Sequence, residues 1–314
     1  MSAPILELKD VHKTFFIGFF RKRIEALRGV SLEVHEGEAF GFVGPNGAGK
    51  TTSIKCALQL IHPSRGEIRI FGEPPSSPAA RARVGYLPEN PYIYSYLKPL
   101  EFLHLCGQLC NMSRADADRR ARQLLDRLSL GHALDRPVGK FSKGMMQRLG
   151  MCQALLHEPE LLILDEPFSG LDPIGRKDIR DILDEQHKQG RTLMLTSHVL
   201  SDVEMICDRV AIVNLGKVTA YGKLDDLLKA DVRRVEIEVA GTDEDLRAAV
   251  DEHALEVRTL RESTIVVVEG DEASTKVMSL AMERGAVIHS VTPHRETLED
   301  LFVRNALASG ADDR

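Results

Sequence analysis

The sequence has 314 residues, a hydrophobic content of 43% and a formal net charge of −6. Such a chain can bury the core of one large domain or of two ordinary ones. Its acidic balance provides no basic surface field, so nucleic acid is not expected as a partner. The five cysteines include no CxxC pair, which favours free thiols over a metal site. No apolar run approaches the roughly 18–20 residues of a membrane span, so none is expected.

Strand and helix patterns alternate along the first 225 residues. Strands are predicted at 5–8, 30–34, 39–44, 66–72, 160–165 and 192–197, and a hairpin at 211–222. A helix after residue 50 is predicted to end at 58–61. Two more are predicted between 99 and 130, one near 174–188, and a short one after 197. The run ELLILD, 160–165, is typical of a strand buried on both faces of a parallel sheet. This order indicates an α/β nucleotide-binding core.

The pattern changes after about residue 229. From there it reads roughly β-α-β-α-β-α, with an extra strand near 256–260 and a last helix at 296–307. The length suits a small α+β module with an open, ferredoxin-like sheet. We therefore predict two domains, residues 1–229 and 230–314. The second is interpreted as regulatory or dimerising, or as a cap on the first, and the sequence leaves these alternatives open.

The stretch GPNGAGKTT, residues 44–52, follows an apolar strand and fits the phosphate-loop pattern G-x-x-x-x-G-K-[ST]. Its glycines allow a tight turn around phosphates. Lys50 is expected to reach β- and γ-phosphate oxygens, and the Thr51 hydroxyl to bind Mg²⁺. The other residues of the predicted nucleotide site are Gly44, Pro45, Asn46, Gly47, Ala48, Gly49 and Thr52.

A second element is LLILDEP, residues 161–167. Asp165 ends the buried strand, where a carboxylate can hold the metal and its water shell. Glu166 follows it and is the candidate general base or water-orienting group. A lone Asp-Glu pair after a strand is more often a solvated loop. The phosphate loop upstream favours the catalytic interpretation.

Three further stretches occur in order: FSKGM at 141–145 followed by QR, SGLD at 169–172, and TSH at 196–198. In the first, Ser142 is predicted to cap a helix whose free N–H groups form an anion site. Together with the two elements above, this set resembles the ATP-hydrolysing subunit of an ABC transporter. The resemblance covers residues 5 to about 225. It implies an α/β P-loop ABC ATPase core with a helical subdomain, beside the C-terminal module.

The resemblance also assigns roles to residues. FSKGM matches the family's signature, with Ser142 and Gly144 as phosphate contacts, and SGLD matches the D-loop with its Asp172. His198, in TSH, matches the switch histidine that contacts the γ-phosphate. Phe15 matches the aromatic residue that stacks on adenine. Phe16 is its rival, and packing within the first sheet is the alternative.

Two positions depart from the family pattern. The common signature is LSGGQ, whereas Lys143 and Met145 replace a Gly and the Gln, so a charge is expected near the nucleotide. The Gln-loop position is Glu89, in GYLPEN. A carboxylate can bind Mg²⁺ or its water, but it cannot donate as an amide does. These departures and the extra module resemble the ABC-2 type export subfamily.

The resemblance implies a complete working assembly. ATP and Mg²⁺ would be bound between two copies packed head to tail as a homodimer. An integral membrane permease on a separate chain would be the partner, holding the protein, otherwise cytoplasmic, at the inner face of the cell membrane. Export is favoured over import. The three tyrosines at 92, 94 and 96 follow the Gln-loop position and either dock the permease or pack internally.

The sequence also bears on three rival functions. A soluble ABC ATPase acting on ribosomes or nucleic acid usually has two ATPase domains or a long inserted coiled coil, and this sequence shows neither. A P-loop switch or kinase would lack the signature and D-loop stretches. A binding module without hydrolysis is opposed by Glu166 and His198.

Overall fold

The computed structural model describes residues 3–18, 22–228, 232–241, 244–260, 263–295 and 297–302. The chain divides into two compact units, one up to Leu224 and the other from Asp225. The predicted domain boundary at 229/230 falls on residues 229–231, which lie outside the described residues.

The first unit contains most of the predicted strands and helices. In chain order its elements are β1 (Pro4–Ile17), β2 (Lys22–His35), β3 (Ala39–Val43), α1 (Lys50–Ala57), β4 (Arg65–Ile70), α2 (Pro78–Arg81), β5 (Val84–Leu87), α3 (Pro99–Leu109), α4 (Arg114–Arg127), α5 (Lys143–Leu155), β6 (Leu161–Asp165), α6 (Pro173–Lys188), β7 (Thr192–Ser197), α7 (Leu200–Glu204), β8 (Arg209–Asn214) and β9 (Lys217–Lys223).

Its main sheet has the strand order β5-β6-β7-β3-β8-β9. The first five strands are parallel and β9 returns antiparallel to β8. Strands β3, β6 and β7 are buried over their whole length. The apolar run at 160–165 is thus confirmed as a doubly covered parallel strand.

A smaller antiparallel sheet has the order β2-β1-β4. Apolar side chains of this sheet, of α1 and of the main sheet share one hydrophobic core, with Phe40 and Ile163 fully buried in it. The segment FIGFFRKR, 16–23, includes the last residues of β1 and the first residues of β2. Its residues 19–21 lie outside the described part of the chain.

Helices α3 and α4 form the predicted helical pair. The helical conformation is interrupted between them around Asn111, whose φ is 57°. Ser113 then caps α4 by accepting a hydrogen bond from Asp116 N. Gly107 allows the two helices to approach, because a Cβ there would lie 2.7 Å from the Ala117 Cβ. Both helices pack against α5, and the three together form the predicted helical subdomain.

After the short helix α8 (Leu224–Leu227), the second unit contains β10 (Val232–Ala240), α9 (Glu244–Asp251), β11 (Ala254–Thr259), β12 (Ser263–Val268), α10 (Gly270–Glu283) and β13 (Val287–Arg295). Its antiparallel sheet has the order β11-β12-β10-β13. This β-α-β-β-α-β arrangement confirms the ferredoxin-like prediction, with β11 as the extra strand. The last predicted helix includes residues 298–302, and residues 303–307 fall outside the description.

Two expectations from composition concern the described residues as a whole. All five cysteines are free thiols. Within the described ranges, no helix combines the length and the apolar character needed to cross a bilayer.

Candidate functional site

A cleft of about 310 Å³ opens where β3, β6 and β7 end. Residues 45–52 form one wall, and Ala26, Glu89, Glu166, Ser169 and His198 complete it. The phosphate loop, the residue after β6 and the residue after β7 therefore meet, because the carboxyl ends of adjacent parallel strands share one edge of a sheet.

The phosphate loop closes around its own lysine. Lys50 is the first residue of α1, and its ammonium donates to the carbonyls of Gly44 at 2.6 Å and Pro45 at 3.3 Å. Gly49 precedes the helix with φ of 110°, and a Cβ there would lie 2.8 Å from Ala26 O. The loop thus requires glycine at this position. It presents a helix start and a cation to the cleft, which is an anion-binding arrangement.

Asp165 lies at the end of β6 and is 1% exposed. Its Oδ1 accepts hydrogen bonds from the hydroxyls of Thr196 at 2.7 Å and Thr51 at 3.2 Å. Burial raises the pKa of this carboxyl above its ordinary value, whereas the two hydroxyls oppose the rise. The charges of Glu166 and Glu89 add to the rise.

The other oxygen of this carboxylate fits a metal ligand. Asp165 Oδ2 is buried and has no hydrogen-bond partner among the described residues. A magnesium ion takes oxygen ligands and keeps several waters, so Asp165 and the nearby Thr51 hydroxyl suit it. Among the described residues, no cluster of three or more aspartate, glutamate, histidine or cysteine side chains suits a metal ion. Magnesium in proteins commonly takes one or two carboxylates and completes its shell with phosphate oxygens and water.

The carboxylate of Glu166 lies between a lysine ammonium group and a histidine ring. Its Oε1 lies 3.6 Å from Lys50 Nζ, and its Oε2 lies 2.7 Å from Nδ1 of the half-exposed His198. Its backbone φ is 52°, an uncommon value for a residue other than glycine. A carboxylate held in this way beside the phosphate loop can orient a water molecule or take its proton.

The signature stretch begins α5, as predicted, but outside the cleft. Ser142 is the N-cap residue, and its Oγ accepts from Met145 N at 3.2 Å. The described cleft wall includes neither Ser142 nor Gly144. Lys143 donates to Ser169 Oγ at 3.0 Å, in the SGLD stretch of its own chain. Its expected charge near the nucleotide stays a prediction.

Four other predicted nucleotide-site residues are also absent from the described cleft wall. Gly44 and Asp165 lie directly behind it, hydrogen-bonded to Lys50 and Thr51 of the wall. The other two are Asp172 and Phe15. Asp172 caps α6, accepting from Gly175 N at 2.8 Å. Phe15 lies on β1, paired with Ile24 of β2, and Lys13 Nζ is 5.1 Å from its ring centroid. Stacking of Phe15 on adenine stays a prediction.

Sequence reasoning missed four residues of the site. Ala26 and Ser169 line the cleft, while Thr196 and Gln147 are buried behind it and hydrogen-bond Asp165 or Glu166. Ser169, Thr196 and Gln147 lie in the SGLD, TSH and QR stretches, which assigned them no role. Thr196 and Gln147 carry a further signal, since each is a polar residue on an otherwise buried strand or helix face. Such a residue usually has a specific hydrogen-bond partner.

Comparison with known proteins identifies the family. The ABC transporter family model matches residues 27–169. An ABC transporter ATP-binding protein of Nostoc sp. is 44% identical over 72% of this chain and 69% of its own length. The chain belongs to the ABC transporter family. A bacitracin transport ATP-binding protein of Bacillus licheniformis is 35% identical to this ABC chain over 88% of it and 90% of the relative. A Nod factor export ATP-binding protein of Cupriavidus pinatubonensis is 35% identical over 77% and 74%.

Solved ABC structures share the fold. An ATP-binding subunit of an ABC transporter has a TM-score of 0.64 and 36% identity, covering 71% of this chain and 91% of its own. A dimeric ATP-binding cassette bound to ADP and Pi, in a post-hydrolysis state, has a TM-score of 0.64 and 25% identity over 70% and 98%. The chain is thus an ATP-binding subunit with an ABC ATPase domain. None of these proteins supports a ribosomal role.

The backbone geometry of the phosphate loop predicts how one substitution changes the affinity for ATP. We expect Gly49→Ala to weaken ATP binding by at least about tenfold, because the loop must shift to relieve both the left-handed φ and the contact with Ala26 O. Titration with a fluorescent ATP analogue measures this. Gly72→Ala is the matched control, since Gly72 has φ of 76° and a Cβ there would meet nothing within 4 Å. Equal affinities for the two variants would contradict the expectation.

Proposed function

We propose that this ABC ATPase powers a separate integral membrane permease, and that it does so by dimerising around ATP and opening after hydrolysis. The observation that carries the proposal is the position of α5. Its start has the features of a phosphate-binding helix end, yet it lies outside the described wall of the chain's own cleft. The half-site at Ser142 and Gly144 therefore needs a phosphate from another molecule.

A second copy of the chain is the proposed source of that phosphate. In a head-to-tail pair, the signature helix of each copy faces the γ-phosphate held by the phosphate loop of the other. The dimeric cassette to which the chain is similar supports such an assembly. Hydrogen bonds to charged groups contribute about 1.5–3 kcal/mol each, so bound ATP would stabilise the dimer and hydrolysis would weaken it.

Within each cleft we assign one role to each group. Lys50 binds the β- and γ-phosphate oxygens, and His198 contacts the γ-phosphate. Glu166 orients the attacking water and accepts its proton. Thr51, Asp165 and Glu89 would hold Mg²⁺ or its waters, and the ion would neutralise charge on the phosphates.

The permease would dock beside the Gln-loop position. Tyr92, Tyr94 and Tyr96 are 97%, 58% and 73% exposed, so the structure disfavours the packing alternative. Exposed tyrosines of this kind suit an interface. We propose that this contact keeps the cytoplasmic chain at the inner face of the membrane. Export is supported by the relative named for Nod factor export.

Trapping the dimer tests the shared site. Glu166→Gln keeps the shape of the side chain but removes the proposed base, so ATP should bind without being hydrolysed. We expect light scattering to show about twice the monomer mass with Mg-ATP and the monomer mass with ADP. The matched control is Glu185→Gln, on the exposed face of α6, which should hydrolyse ATP and show no stable dimer. A Glu166→Gln variant that remains monomeric in ATP would refute the shared site.

Affinity capture tests the membrane partner. The Glu166→Gln variant, purified from detergent-solubilised native membranes with Mg-ATP, should retain a polytopic protein that mass spectrometry can identify. Replacing Tyr92 and Tyr96 with Ala should release that protein, because the two exposed rings would no longer pack against the permease. Recovery of ribosomal or DNA-repair proteins from the soluble fraction would contradict the transport assignment and leave the ATPase assignment intact.

A further inference from the structure

The backbone of Glu166 is fixed from both sides by buried side chains. The Gln147 amide, on α5, donates from Nε2 to the carbonyls of Glu166 at 3.2 Å and Pro167 at 3.3 Å. On the other side, Glu166 N donates to Thr196 Oγ1 at 3.0 Å. Gln147 is 1% exposed and Thr196 is fully buried. Neither side chain reaches the cleft wall.

These contacts explain how Glu166 keeps its unusual conformation. A residue other than glycine with φ of 52° persists only where its surroundings determine it. That conformation also sets the direction of the carboxylate, which lies 2.7 Å from His198 Nδ1 and 3.6 Å from Lys50 Nζ. Ser169 N also donates to the Glu166 carbonyl, at 3.0 Å. Without the amide of Gln147, that carbonyl would keep only this bond within the loop, and the Pro167 carbonyl would lose the Gln147 donor, so the helix would no longer fix the peptide.

The same face of α5 touches this loop twice. Lys143 lies four residues before Gln147, so the two side chains project from one face of the helix. Lys143 donates to Ser169 Oγ at 3.0 Å, and its stem lies against Gly170, where a Cβ would approach Lys143 Cδ to 2.6 Å. The start of α5 and the loop 166–170 are therefore one contact unit.

We propose that Gln147 is a positioning residue for Glu166, and that it links the signature end of α5 to hydrolysis in the same chain's cleft. The proposal rests on the proposed function, since it takes Glu166 as the base and the start of α5 as the contact for the other copy's phosphate. The γ-phosphate of the other copy's ATP would bind at the start of α5. Through Gln147, it would then act on Glu166 in the cleft of the chain to which that α5 belongs.

Steady-state ATPase measurements on Gln147→Met test the first step. Methionine keeps the length and bulk of the side chain but has no donor. We expect kcat to fall by about 10- to 100-fold, because a small misplacement of a reacting group has that effect. KM for ATP should stay within about twofold. Gln153→Met, the same change on the half-buried Gln153 of α5, is the matched control and should leave kcat unchanged.

A double-mutant cycle separates positioning from a general structural role. In the Glu166→Gln background the base is already absent, so adding Gln147→Met should change the residual rate by less than about twofold. Equal fractional losses of kcat in both backgrounds, or a loss expressed in KM alone, would overturn the proposal. If Gln147→Met does not fold, Gln147→Asn serves instead, since it keeps the amide but shortens its reach.

The dimer assay keeps this proposal distinct from the proposed function. The variant with both Glu166→Gln and Gln147→Met should still double its mass in Mg-ATP. If Glu166→Gln alone never dimerises while the cycle is non-additive, the shared site fails and the positioning role stands. If the dimer forms and the losses multiply, the shared site stands and the positioning role fails.

Discussion

Three adjacent parallel strands, β6, β7 and β3, end at one edge of the main sheet. This pairing is the constraint on which the site depends, because it joins residues more than a hundred positions apart. Asp165 pairs with Thr196 across β6 and β7, and the phosphate loop follows β3 beside them. The buried Thr196 hydroxyl then bonds both Asp165 and the backbone of Glu166. A shift in strand register would separate these groups.

Much of this arrangement is predictable from sequence because its causes are local. The phosphate loop needs glycine where the backbone has a positive φ or passes close to another strand. A fully apolar strand followed by Asp-Glu indicates a carboxylate at the edge of a parallel sheet. Ser142 as a helix cap also follows from local rules, and the structure confirms it.

The remaining contacts depend on packing that no local pattern specifies. Gln147 reaches Glu166 only because α5 lies against the loop after β6, and Lys143 meets Ser169 for the same reason. Asp172, by contrast, carries a local signal. An Asp followed by Pro173 is typical of a helix start, and in the structure its carboxylate caps α6.

One chain holds only part of the proposed ATP site. Its cleft contains a phosphate loop, a candidate metal-binding carboxylate and the positioned Glu166, whereas the start of the signature helix lies outside the described cleft wall. The most direct test is a crystal structure of the Glu166→Gln variant with Mg-ATP. We expect two copies, with each γ-phosphate hydrogen-bonded to Ser142 Oγ and Gly144 N of the opposite copy. A structure in which each γ-phosphate contacts only its own chain would contradict it.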